Sequence, residues 1–96
     1  MLRVDSQLPR AWLVDEPVDL TQREWELLAL LLARQGQVVS REDVWVAWQS
    51  DAGDAAGLAS NALEVYVHRL RRKLAHPALN LRNVRGLGYM LELGAR

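Results

Sequence analysis

The run Asn61-Ala-Leu-Glu-Val-Tyr-Val-His-Arg-Leu-Arg-Arg-Lys-Leu74 constrains this chain more than any other stretch. At about 100° per residue, Leu63, Val67, Leu70 and Leu74 fall on one side of a helix. Asn61, Val65, His68 and Arg72 fall on the opposite side, with Arg69 and Arg71 flanking it. One helix over residues 61–74 therefore carries an apolar stripe for a core and a basic, hydrogen-bonding stripe for something outside. A fold for this chain must bury the first and leave the second within reach of a partner. A helix fits the major groove of DNA, where Arg and Asn bond base edges. The plain alternative is a surface helix whose basic face is merely solvated.

The net charge of zero conceals a split. Residues 1–60 hold five Arg against ten acids, a sum of −5, and residues 61–96 hold seven Arg and Lys against two acids, a sum of +5. The C-terminal third thus suits a polyanion. A chain of 96 residues makes one domain with a modest core. The sequence has no cysteine, which excludes disulfides and thiolate metal sites and fits a reducing cytosol. No apolar run approaches the ~20 residues that span a bilayer. The opening Met-Leu-Arg-Val-Asp has no apolar signal-peptide core.

The first twenty residues read as short strands: Leu2 to Val4, Ala11 to Val14 and Val18 to Leu20, parted by turns at Gln7 to Arg10 and Asp15 to Pro17. A sheet this small needs helices over one face, and Trp12 is expected to point into that interface. Thr21-Gln-Arg-Glu24 is a capping box. Behind it, Trp25, Leu28, Ala29 and Leu32 repeat at helical spacing, with Leu27, Leu30 and Leu31 widening the arc. Gly36 stops this helix, and Val38-Val39 suits a brief strand. Ser40-Arg-Glu-Asp43 repeats the capping logic for a second helix whose core face is Val44, Trp45 and Trp48. Residues 50–59 lack periodicity and read as a long loop.

The third helix begins at Ser60 or Asn61, where Asn61 and Glu64 form a plausible box. It ends before His76-Pro77. Leu81 to Arg85 and Tyr89 to Leu93 then flank Gly86-Leu-Gly88 as a β-hairpin, with Val84, Tyr89 and Leu91 inward and Arg85 at the tip. An exposed Arg on a hairpin directly after a basic helix is a winged helix-turn-helix arrangement. The helix suits the major groove and the tip Arg the neighbouring minor groove. The expected architecture is α+β, one domain over 1–96. It has an N-terminal antiparallel sheet (1–20), three helices (about 22–35, 41–49 and 61–75) and a C-terminal hairpin wing (81–93).

At this point the chain resembles the C-terminal effector domain of OmpR/PhoB-type response regulators. The matching residues are Leu20-Thr-Gln-Arg-Glu24 with Leu27-Leu28, then Val39-Ser-Arg-Glu42, Asn61 to Leu74, and Val84-Arg-Gly-Leu-Gly-Tyr-Met-Leu91. They span nearly the whole chain in the family's order. The run from Asn61 to His68 resembles most the PmrA/QseB-like branch. The resemblance implies a fourth N-terminal strand, for which the stretch around Ser6 to Pro9 is the candidate. It implies a cytoplasmic, nucleoid-associated regulator that binds promoter DNA as a head-to-tail pair on direct repeats. It assigns base contacts to Arg69 with Asn61, Val65 and His68. It assigns phosphate contacts to Tyr66, Arg71, Arg72, Lys73 and Asn83, and the minor groove to Arg85. It makes the loop with Asp51, Asp54 and Leu58 the candidate contact with RNA polymerase. It implies no cofactor, no small-molecule ligand and no membrane.

Three features depart from the family pattern. Asn83 stands where Thr is common. The 50–59 loop is longer and richer in Gly and Ala. The receiver domain of ~120 residues that normally precedes this one has no room here, so the chain is expected to be a fragment of a longer regulator. Two other functions compete. A winged helix can dock RNA polymerase or another regulator through the same basic face. An enzyme is disfavoured: His68 and His76 are too sparse for a His-rich metal site, Ser40 and Ser60 are explained as caps, and Gly86-Leu-Gly88 opens a strand rather than a phosphate-binding helix.

Overall fold

Alternation of side chains explains the first sheet. The computed structural model describes residues 2–48 and 62–94. Strands β1 (Leu2–Val4), β2 (Arg10–Leu13) and β3 (Glu16–Asp19) form an antiparallel sheet in that order. The register pairs Leu2 with Leu13, Val4 with Ala11, and Ala11 with Val18, which puts these residues on the face toward the core. Period-two alternation sends Trp12 to the other face, beside Arg3 and Pro17. The expectation that Trp12 enters the interface is thus overturned. The Arg3 guanidinium covers its ring at 4.9 Å. No fourth strand forms between Asp5 and Pro9. There Asp5 Oδ1 accepts from the N–H groups of Gln7 at 2.7 Å and Leu8 at 2.9 Å, which makes a turn.

Helix α1 (Gln22–Ala33) starts at the expected box. The Glu24 N–H donates to Thr21 Oγ1 at 3.2 Å, and Glu24 Oε1 accepts from the Thr21 N–H at 2.9 Å. The buried stripe is Glu24, Leu27, Leu28 and Leu31, one residue out of phase with the expected Trp25, Leu28, Ala29 and Leu32. Trp25 stays half-buried, because its Nε1 donates to the Asp5 carbonyl at 2.9 Å and so ties it to the edge of the sheet. Gly36 follows the helix with φ +81°, and its N–H donates to the Leu91 carbonyl at 2.9 Å.

Helix α2 (Arg41–Trp48) carries the second box, with Ser40 and Asp43 exchanging hydrogen bonds of 3.1 Å. Contacts from Ser40 hold the Asp43 carboxyl below its ordinary value, with Arg34 adding to them. Val44 and Trp48 are buried, and Trp48 Nε1 donates to the Arg23 carbonyl at 2.9 Å. Helix α3 (Ala62–Lys73) buries Leu63, Val67 and Leu70, and Leu74 directly after it continues the stripe, as the spacing requires. Each such buried side chain contributes about 1.5–3 kcal/mol.

Strands β4 (Leu79–Val84) and β5 (Gly88–Leu93) form the wing, with Leu81 opposite Leu91 and Val84 opposite Gly88. Leu81, Tyr89 and Leu91 are its core residues, while Val84 is only half-buried. The brief strand expected at Val38-Val39 is a single bridge, in which Val39 and Tyr89 exchange backbone hydrogen bonds of 2.7 and 2.9 Å. That bridge fastens the wing to the start of α2. It needs Gly88, where φ is +149° and a Cβ would lie 2.1 Å from the Val39 carbonyl oxygen.

Candidate nucleic-acid interface

Helix α3 is held at four places. Its leucine stripe enters the core. At its C-terminal end, Lys73 Nζ donates to Glu24 Oε1 at 2.7 Å and to the Asp19 carbonyl at 3.1 Å. Along its flank, Arg71 Nε donates to the Leu81 carbonyl at 2.9 Å, which ties the helix to β4. Near its N-terminal end, Glu64 Oε2 pairs with Arg41 Nη2 at 3.4 Å.

The side that remains outward holds Val65, His68, Arg69 and Arg72, all exposed. Val65 is 42% exposed in the middle of a row of polar side chains, so the core does not account for it. Arg69 lies over the Tyr66 ring at 5.4 Å. Tyr66 is half-buried, with Trp48 edge-on to it at 5.2 Å. Arg85 is exposed at the wing turn, where the Leu87 N–H donates to the Val84 carbonyl at 2.9 Å. Gly86 supplies φ +81° there, as a type II turn requires at its third position. Between wing and helices runs an open cleft of about 350 Å³ lined by Arg41, Glu64, Asn83, Arg85 and Tyr89. Asn83 shares the strand face of Leu81 but lies beyond the core, on the cleft. Burial pushes the Tyr89 phenol above its ordinary value, and nearby Glu64 adds to this, against Arg41 and Arg71.

The fold thus brings Val65, His68, Arg69 and Arg72 onto one surface, with Arg71, Asn83 and Arg85 on the adjoining wing side. Lys73, expected at a phosphate, has its ammonium turned to a carboxylate that is almost wholly enclosed, because a buried charge requires a partner. Asn61, Asp51, Asp54 and Leu58 lie outside the described residues. Arg41 was missed. It stands at the first position of α2 and reaches the cleft, but charge counting placed it in the acidic part of the chain. Its position one residue past the Ser40 cap was the available signal. Among the described residues, no three His, Cys, Asp or Glu side chains are grouped to hold a metal ion. No helix among them is long and apolar enough to cross a membrane.

Residues 15–91 match the family described as "Transcriptional regulatory protein, C terminal". The chain belongs to this family, the OmpR/PhoB-type effector domains. It is similar to the response regulator protein PmrA of Pseudomonas aeruginosa, with 42% identity over 91 residues that cover 95% of this chain and 39% of that protein. The transcriptional regulatory protein QseB of Haemophilus influenzae is 32% identical over 94% of this chain and 38% of its own length. This effector domain therefore spans well under half the length of these relatives. Among solved structures, the DNA-binding domain of CpxR from E. coli superposes with a TM-score of 0.76 at 31% identity, covering 98% of this chain and 92% of that one. The winged-helix arrangement of three helices, sheet and hairpin is shared with it.

Proposed function

We propose that this domain binds double-stranded DNA sequence-specifically, as the effector domain of a two-component transcriptional regulator working in the cytoplasm at the nucleoid. The observation that carries the proposal is the exposed row of Val65, His68, Arg69 and Arg72 on a helix otherwise locked into the core. Helix α3 enters the major groove. Arg69 bonds base edges beside Asn61 and His68, and Val65 meets a thymine methyl. Arg71, Arg72, Tyr66 and Asn83 hold phosphates and set the register. Arg85 enters the adjacent minor groove, whose negative potential attracts it. Lys73 takes no part. A receiver domain precedes this one in the full-length regulator. Two copies sit head to tail on direct repeats, and the loop with Asp51, Asp54 and Leu58 faces RNA polymerase.

The test is selection of sites from a random duplex pool by this 96-residue chain, at two salt concentrations. A half-site repeated at about one helical turn is expected. Salt-sensitive binding to every duplex alike would leave only a generic polyanion surface. No binding would turn the basic face toward a protein partner.

A further inference from the structure

Arg69 does not project alone into solvent. Its Cζ lies 5.4 Å over the centroid of the Tyr66 ring, within the range of a cation–π contact. The two residues are three apart on α3, so they are neighbours on the helix surface. The Tyr66 ring is itself held, since Trp48 meets it edge to face at 5.2 Å and 67°. Trp48 is buried, stacks with Trp45 at 6.5 Å and donates its Nε1 to the Arg23 carbonyl. Packed groups thus lead from the core to the guanidinium without a break.

The geometry points to a division of labour. A guanidinium held over an aromatic ring by its charge uses none of its hydrogen-bond donors for that contact. Its N–H donors therefore stay available. Those donors make the bidentate contact with guanine O6 and N7. We propose that Tyr66 is a specificity-positioning residue, whose ring holds the Arg69 guanidinium in a reading orientation before DNA arrives. Side-chain freedom lost in advance is not lost again on binding, so the gain falls on the base that Arg69 reads. A tyrosine that served only a phosphate would use its hydroxyl, and the placement of its ring over Trp48 would not matter. This proposal rests on α3 reading DNA and adds how its main reader is aimed.

The test compares the unsubstituted chain with Tyr66→Phe and Tyr66→Leu on duplexes carrying each base pair in turn across the selected site. Thermal unfolding and Trp fluorescence are recorded on the same samples. Tyr66→Phe keeps the ring and is expected to keep the base preference at Arg69's position. Tyr66→Leu keeps bulk against Trp48 and is expected to lower discrimination there by roughly two- to fivefold, with other positions unchanged. Discrimination lowered equally at all positions in Tyr66→Leu, after subtracting the uniform affinity that Tyr66→Phe also loses with the phosphate-bonding hydroxyl, would mean a structural role and would overturn the platform. So would a loss in Tyr66→Phe as large as in Tyr66→Leu, which would indicate the hydroxyl, or no change in Tyr66→Leu at all. Absence of any base preference in the unsubstituted chain would instead overturn the DNA reading itself, and the platform with it.

Discussion

Lys73 Nζ sits 2.7 Å from Glu24 Oε1, and the carboxylate it meets belongs to the capping box of α1. One side chain therefore serves two ends. Glu24 satisfies the Thr21 N–H at the start of α1, and it anchors the C-terminal end of α3 through Lys73. Burial alone would raise the Glu24 carboxyl, but the hydrogen bonds from Lys73 and Thr21 outweigh it, and its pKa falls below the ordinary 4.5. A depressed folded pKa stabilises the fold above the ordinary value. That contribution disappears as pH falls through the lower folded value.

Glu24→Gln is expected to destabilise the domain by about 1–3 kcal/mol near neutral pH, the usual cost of disrupting a buried, charge-assisted hydrogen bond. The difference from the unsubstituted chain should narrow as pH is lowered through and below the carboxylate range, where Glu24 itself becomes neutral. Urea unfolding at a series of pH values checks this. A gap that widens toward acid would refute the assignment.

Lys73→Met should lower stability and leave the salt dependence of DNA binding unchanged, because Lys73 is engaged within the fold. Arg72→Ala should do the reverse, reducing the salt slope by about one unit while stability holds. Binding isotherms across a salt series separate the two.

Arg69→Ala is expected to cost about 1–3 kcal/mol on the preferred site and to relax selection at one or two base pairs. Arg85→Ala should instead weaken the preference for narrow, A·T-rich minor grooves flanking that site. Selection from random duplexes with each variant reads both. An unchanged base profile for Arg69→Ala would mean that the reading face is wrongly assigned.

Two glycines of the wing should respond differently to alanine. Gly88→Ala drives a Cβ into the Val39 carbonyl. It breaks the bridge that fastens wing to α2 and should cost more than the ~1–3 kcal/mol of backbone strain alone. Gly86→Ala meets open space and bears only its positive φ, a cost of about 1 kcal/mol. The ordering of urea midpoints decides the matter.

Glu64→Gln should be nearly neutral in stability, since exposed ion pairs such as Arg41–Glu64 contribute about 0–1 kcal/mol. It should strengthen DNA binding. It removes a negative charge from the cleft and frees Arg41 for a phosphate. Titration at fixed salt measures it, and weaker binding would show that the pair itself sets the site.

Much of this fold is written locally. Thr21 with Glu24 and Ser40 with Asp43 mark two helix starts through bonds that span three residues. Leu63, Val67, Leu70 and Leu74 declare the buried side of α3 through spacing alone. By subtraction they declare the outward row of Val65, His68, Arg69 and Arg72. The wing turn is legible because Gly86 adopts φ +81° cheaply. These features depend on hydrogen bonds or periodicities that close within a few residues.

What only the tertiary structure decided depends on partners far apart in the chain. Trp12 lies outside the core because pairing with β1 and β3 fixes which side of β2 is covered. The buried stripe of α1 begins at a glutamate because a lysine 49 residues away neutralises it, and so the Lys73 ammonium turns toward the start of α1. The Arg69 guanidinium lies over a tyrosine that is braced by a tryptophan of another helix. A single sequence displays which residues a helix turns outward. It does not display which outward charges find a buried opposite charge when the elements close, because that choice is made by desolvation at contacts that exist only in the folded chain.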